Sequence, residues 1–392
     1  MKQTALILAS FSGLFAFIAG TCTLSAQPVY LEIGRPGQTF TLNGHRVTVV
    51  EKDITPVIEN EFSKRGVYDG ADNVKLKQLR SQEGFDQLLE GSKDEFEQQV
   101  RISAWAQKRL PKFGTPTSKA LAPLDIIQAA DEGHTFFCSH FARIFVGACA
   151  SMGWPCRSLA LRYGNHPVQR GAPEHSVAEV WSNTYRKWVL FDPLFALYFE
   201  RDGIPLNAWE VRQEWYYGDR DKISFVMFGD RKVCRHTDPP VLMGQHPGFG
   251  PLYLKPLSWP DKLALIGYCP GNNVIENGSL DYGNMFISSD TLASNVKWHV
   301  RIRPEDPARD PYFPLNQADL KFSAVPEGLN VEVRTNTPNF ATSRYRINEG
   351  KWVDGEPGIW KLKNGTNILE VKPVNTFGVE GITSRVVLEY DT

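Results

Sequence analysis

The chain has 392 residues, with 43 Lys and Arg against 44 Asp and Glu and a net charge of −1. That length exceeds one ordinary core and calls for two or three domains, and 42% hydrophobic with 22% charged residues excludes a disordered chain. The lack of a basic excess argues against nucleic acid or an anionic membrane surface as partner.

Lys2, the uncharged apolar run from Ala5 to Ala19 and the small residues up to Ser25-Ala26 have the pattern of a secretory signal peptide over 1–26. The run is too short for a membrane anchor, and no later stretch could span a bilayer. The expected location is therefore outside the cytoplasm, periplasmic or secreted. Cys22, after Ala19-Gly20-Thr21, resembles a loose lipobox, which keeps a lipid anchor through Cys22 as the alternative.

Residues 28–50 alternate apolar and polar side chains around Gly34-Arg35-Pro36-Gly37 and Asn43-Gly44, which predicts a strand or short hairpin ahead of the main domain. Apolar residues recur at helical spacing across 72–110. An extension of strand and helix is thus expected over 27–94. After a loop from Lys112, Pro123 stands where a first helical turn tolerates it, and Gly133 ends that helix. Ser139 to Met152 carries Phe141, Ile144, Phe145 and Ala148 on one helical face, and Gly153-Trp154-Pro155 stops it.

Three short apolar strands follow, RSLALRY, HSVAEVW and KWVLFDP. A helix before an antiparallel sheet makes an α+β domain, placed at 95–225, with some helix near 203–217. Residues 226–315 are a connecting region rich in Pro and Gly. From 316 to 392, strands alternate with turns at Asn348-Glu349-Gly350 and Asn364-Gly365, which predicts a small Ig-like β-sandwich.

Beyond residue 26 the chain has five cysteines, Cys138, Cys149, Cys156, Cys234 and Cys269. An odd number in an oxidising compartment leaves at least one thiol unpaired. Pairing among Cys149, Cys156, Cys234 and Cys269 stays open. No C-x-x-C and no His pair at ligand spacing occurs, so neither metal nor cofactor is expected.

A nucleophilic thiol needs a lowered pKa, a base, an orienting group and donors for an oxyanion. Cys138 opens a helix, whose N-terminus favours the thiolate and offers backbone N–H groups. His175 starts one strand and Asp192 ends the next. In an antiparallel pair the start of one strand lies beside the end of its neighbour, with the loop from Ser182 to Lys187 closing the hairpin. Cys138, His175 and Asp192 are therefore the candidate nucleophile, base and orienter. The competing readings are a buried helical cysteine, an edge-strand histidine and Asp-Pro turn chemistry.

Three segments in order resemble the transglutaminase-like superfamily of papain-like cysteine enzymes, over roughly residues 95–220. After Cys138 come a small residue four positions on, then Gly, Pro and Arg at fifteen, seventeen and nineteen: Ala142, Gly153, Pro155 and Arg157. His175 to Val180 and Trp188 to Pro193 resemble the family's His and Asp-Pro signatures. Phe136-Phe137 stands where the family usually has Gly, and Ser176-Val177 where it often has Ala-Trp.

The resemblance implies a papain-like core and a Cys-His-Asp enzyme acting on an amide or isopeptide bond, a peptidase or amidase. Its substrate would be a peptide, protein or cell-wall amide. Trp105 is taken as a substrate-groove residue, with core packing as its other reading. The alternatives are a protein-crosslinking transamidase, a glycan-linked amide hydrolase, or a non-catalytic binding module on this scaffold.

Overall fold

Antiparallel pairing organises the chain. The computed structural model describes residues 30–162, 174–227, 232–246, 250–278, 285–287 and 303–392. The expected signal peptide and Cys22 lie outside them. The chain opens with strands β1 (Tyr30–Leu31), β2 (Thr39–Leu42) and β3 (His45–Asp53). Asn43 and Gly44, at φ 51° and 84°, make the two-residue turn between β2 and β3. This turn matches the twist of the strands it joins.

Five helices follow: α1 (Val74–Gln82), α2 (Phe85–Leu89), α3 (Glu95–Arg109), α4 (Pro123–Asp131) and α5 (Cys138–Ser151). Asp94 caps α3 by accepting from the Glu97 N–H at 2.8 Å, and Pro123 starts α4. The sheet is then built from β4 (Cys156–Arg162), β5 (Glu174–Ser182), β6 (Lys187–Asp192), β7 (Leu197–Arg201) and β8 (Ile204–Pro205). Helix α6 (Ala208–Tyr216), within the region where some helix was expected, carries a capping box of Asn207 and Glu210. Next come β9 (Ser224–Met227), β10 (Val233–Arg235), the separate hairpin β11 (Val241–His246) and β12 (Gly250–Leu254), β13 (Leu265–Tyr268) and β14 (Met285–Ile287).

The order across this sheet is β10-β9-β7-β6-β5-β4-β13-β14, with β8 on β7. Helix α5 packs on one face, where Phe145 meets Phe191 at 5.5 Å between rings. Phe191 lies opposite Ala178 on β5. Glu179, the next residue and so on the other face, accepts from the Ala208 N–H at 2.8 Å and faces α6. Each fully buried Ile or Phe of α5 contributes roughly 2 kcal/mol of burial free energy. The stretch expected only to connect domains therefore enters this sheet, because β13 pairs with β4.

The last third holds β15 (Asp319–Val325), β16 (Gly328–Arg334), β17 (Phe340–Ile347), β18 (Val353–Asp354), β19 (Gly358–Trp360), β20 (Gly365–Asn375) and β21 (Ser384–Asp391). They form two sheets, in the orders β1-β15-β16-β19 and β18-β17-β20-β21-β3-β2. Both sheets contribute to one apolar cluster that includes Val47, Phe322, Trp360 and Leu388. The N-terminal strands thus join the C-terminal sheets, although sequence order placed them with the helices.

These sheets clamp the end of α5. Gly153 has φ 76°, and a Cβ there would stand 2.6 Å from that of Phe377. Only glycine fits both the backbone and the neighbour. Asn375 donates to the Gly153 carbonyl at 2.9 Å. Among the described residues, no helix is long and apolar enough to cross a membrane.

Candidate active site

Cys138 is the first residue of α5. The chain before it is held by a parallel bridge between Phe113 and Phe136, with the Phe136 N–H on the Lys112 carbonyl at 3.0 Å and the Gly114 N–H on the Phe136 carbonyl at 2.8 Å. No Ser, Thr, Asp or Asn stands at the cap. His140, in the first turn, accepts instead from the Phe137 N–H at 3.3 Å. Burial and then the nearby Arg143 push the His140 pKa down to about 4, so the ring stays neutral and can accept. Sequence position suggested a surface or supporting role for this histidine; it is a buried cap. The N–H groups of Cys138 and Ser139 lack intrahelical acceptors by position.

The strand register brings the other two residues together. Ala178 pairs with Phe191 and Val180 with Val189. Continued by one step, this register sets Asp192 opposite Val177, on the same face as His175 and diagonal to it. His175 Nε2 lies 2.6 Å from Asp192 Oδ2. With Nε2 committed, Nδ1 is the nitrogen left for the thiol, and His175 stands close enough for its charge to act on Cys138.

Strand β6 turns away at Asp192-Pro193, which leaves the first residues of β5 without a neighbour on that side. Amides alternate along a strand. The Trp181 N–H points away from β6, to the Pro155 carbonyl at 2.8 Å, so the Ser176 N–H points into the gap. Cys138 occupies it, and its Sγ accepts from the Ser176 N–H at 3.4 Å. The end of one β-ladder thus creates the seat of the thiol.

Asp192 is fully buried and richly donated to. Oδ2 also accepts from Trp259 Nε1 at 2.8 Å, and Oδ1 from the Leu194 and Phe195 N–H groups at 3.1 and 3.4 Å. The Trp259 ring stands edge-on to His175, with centroids 5.6 Å apart, and shields the pair from solvent. Burial opposes charge on His175, but the Asp192 carboxylate outweighs it and holds the imidazole pKa up at about 9. Burial likewise raises the Cys138 thiol. Attraction to His175, with the Ser176 N–H, overcomes it and brings the thiol below its ordinary value. The arrangement favours a thiolate–imidazolium pair.

Trp105, the expected groove residue, makes its polar contact with Glu83, to which its indole donates at 3.2 Å, and its ring contact edge-on with Phe85, so it lies among α2 and α3. Cys149, Cys156, Cys234 and Cys269 are buried, and no disulfide joins them among the described residues. Trp259 was missed by the sequence reading. It lies between β12 and β13, outside all three ordered signatures, and nothing local marks it. No group of three or more potential metal ligands occurs among the described residues.

Residues 84–193 match the family model of the transglutaminase-like superfamily, which includes cysteine-based amide and isopeptide enzymes. The match runs from the start of α2 to just past β6 and contains Cys138, His175 and Asp192. Trp259 falls beyond it. Neither the curated proteins nor the solved structures contain a match to this chain.

Proposed function

We propose that this chain is an exported thiol enzyme that cleaves an amide or isopeptide bond through an acyl-enzyme on Cys138. The observation that supports it is the half-buried thiol at the start of α5, seated on the Ser176 N–H beside a histidine that a buried aspartate orients. In the first step the Cys138 thiolate attacks the carbonyl carbon, and the carbonyl electron pair moves onto oxygen. The N–H groups at the start of α5 would stabilise that oxyanion. His175, already protonated, gives its proton to the departing amine as the C–N bond breaks.

Water then attacks the thioester with His175 taking its proton, and the carboxylic acid leaves. An amine acceptor in place of water would give transamidation through the same first half. Hydrolysis of a peptide, protein or cell-wall amide is the favoured reading. Asp192 acts throughout by fixing the ring and stabilising its charge.

The test is alkylation of the mature protein with iodoacetamide from about pH 5 to about pH 9, mapped by mass spectrometry. Cys138 should react selectively below neutral pH, and His175→Ala should abolish that selectivity. A Cys138 that titrates as an ordinary thiol in both proteins would return the chain to the binding-module reading.

A further inference from the structure

One cation beside the site has no anion of its own. Lys262 lies in the 3₁₀ turn Pro260–Ala264, three residues after Trp259. That turn is fixed from behind. Trp215 Nε1 donates to Asp261 Oδ1 at 2.8 Å, and the Tyr216 hydroxyl donates to the Asp261 carbonyl at 2.8 Å. The Lys262 ammonium stands 5.8 Å from the centre of the Trp259 ring, whose edge meets His175 and whose N–H holds Asp192. The side chain is half-buried, and among the described residues no carboxylate lies within ion-pair distance of it.

The negative groups of the site that act on Lys262 are Asp192 and Cys138, and Asp192 is already occupied. A carboxylate has about four acceptor positions. Those of Asp192 take His175, Trp259 and the Leu194 and Phe195 amides. A fifth, ionic donor has nowhere to bind. Burial pushes the Lys262 pKa down, and the pull of Asp192 and Cys138 offsets this in part, so the ammonium shares the field of the thiolate. A half-buried charge without a contact partner is costly to hold. The cost is recovered when an anion enters.

We propose that Lys262 reads a carboxylate on the substrate, one close to the scissile carbonyl, so that the enzyme prefers amides bearing a negative group beside the bond it cleaves. This rests on the reading of Cys138 as nucleophile. The proposal assigns Lys262 to binding; the proton transfers stay with His175.

Two alkylating reagents of nearly equal size test it without knowledge of the substrate. Iodoacetate and iodoacetamide both transfer a two-carbon unit to the Cys138 thiolate, forming an S–C bond as the C–I bond breaks and iodide leaves. Only iodoacetate carries a carboxylate next to the reacting carbon. The ratio of the two rates at Cys138, each divided by the rate with free N-acetylcysteine, isolates recognition of that charge. His175 contributes to this ratio equally in all variants.

The ratio in Lys262→Gln should fall about tenfold below wild type, as expected for losing one charge contact at partly screened distance. Lys262→Arg should restore most of it. A ratio that stays the same in Lys262→Gln would overturn the proposal and leave Lys262 as a counter-charge to Asp192. Equal slowing of both reagents would overturn it too, since Lys262 would then act through the thiol. If wild-type Cys138 resists both reagents, the nucleophile reading itself fails, and that result is distinct from the other two.

Discussion

Two buried charge pairs lie on the same face of the central sheet, four residues apart on β5, and they differ in what surrounds them. Arg157 and Glu179 face each other across β4 and β5, and both are fully buried. The guanidinium reaches Glu179 Oε2 at 2.8 Å, the Tyr268 hydroxyl at 2.8 Å and the Pro311 carbonyl at 2.6 Å, and lies 3.9 Å from the centre of the Trp188 ring. Glu179 Oε1 takes the Ala208 N–H and the Tyr312 hydroxyl. This pair is enclosed by aromatic rings and staples together parts of the chain far apart in sequence.

His175 and Asp192 are just as tightly held on the carboxylate side, but the imidazole ends on a half-buried thiol. The contrast shows what separates a structural charge from a reactive one. Both carboxylates are richly donated to, but only the second pair ends on a half-buried thiol that solvent can reach.

The comparison can be broken by altering each pair in turn. The largest effect should come from Asp192→Asn, which keeps size but removes the charge that holds His175 protonated. Amide turnover should fall on the order of 10³-fold or more, as for the orienting carboxylate of a catalytic triad. A loss smaller than tenfold would mean that His175 does not depend on Asp192. Glu179→Gln should act the other way. It leaves Arg157 buried without its counter-charge, costing about 3–5 kcal/mol in urea unfolding, while alkylation of Cys138 in the folded fraction should hold its wild-type rate. A parallel loss of that reactivity would show the two pairs to be one unit.

Trp259→Phe keeps an aromatic shield over His175 but removes a donor from Asp192. It should lower turnover by about tenfold, the worth of one hydrogen bond to a charged group. An unchanged rate would reduce Trp259 to packing.

The pH dependence follows from His175, whose folded pKa of about 9 exceeds its ordinary value of 6.5. A cation raised in the folded state stabilises fully below the unfolded value and loses that contribution as pH rises through the folded one. Stability from this pair should therefore decline between about pH 6.5 and about pH 9. The depressed Cys138 thiol works in the opposite sense, so the decline is best measured by urea unfolding in Cys138→Ala. A flat profile there would contradict the raised imidazole.

The smallest effect concerns the hairpin at the far end of β5. Glu95 accepts from the Asn183 N–H at 2.7 Å, but its Oε1 is buried without a partner, and burial lifts the carboxyl to about 7. A raised acid destabilises the fold above its folded pKa and not below its unfolded one. Glu95→Gln should therefore gain about 1 kcal/mol at pH 8 and nearly nothing at pH 4. Equal gains at both values would point to packing rather than charge.

Much of the candidate site was legible because its three residues lie inside strongly patterned elements. Alternation fixes β5 and β6, and the polar loop from Ser182 to Lys187 joins them as neighbours. The diagonal meeting of His175 and Asp192 then follows from register. The helix stop at Gly153 was legible for the same reason, though its second cause, contact with Phe377, was not. Trp259 and Lys262 escaped notice because they sit among short strands and prolines where no period forms. His140 escaped because an imidazole standing in for a capping side chain has no common signature. The partners of β1 and β3 were hidden most deeply, since pairing across most of the chain leaves no local trace.

That last pairing sets an order of events in folding. Val47 on β3 pairs with Tyr390 on β21, and Tyr30 on β1 pairs with Ser323 on β15. β3 keeps one unsatisfied edge until β21 is made, as β1 does until β15 is made. The helices and the central sheet lie between them in sequence and can assemble meanwhile, so the molecule closes like a clasp around a part already made. Loss of β21 would leave β3 and β20 as open edges that invite pairing with another copy.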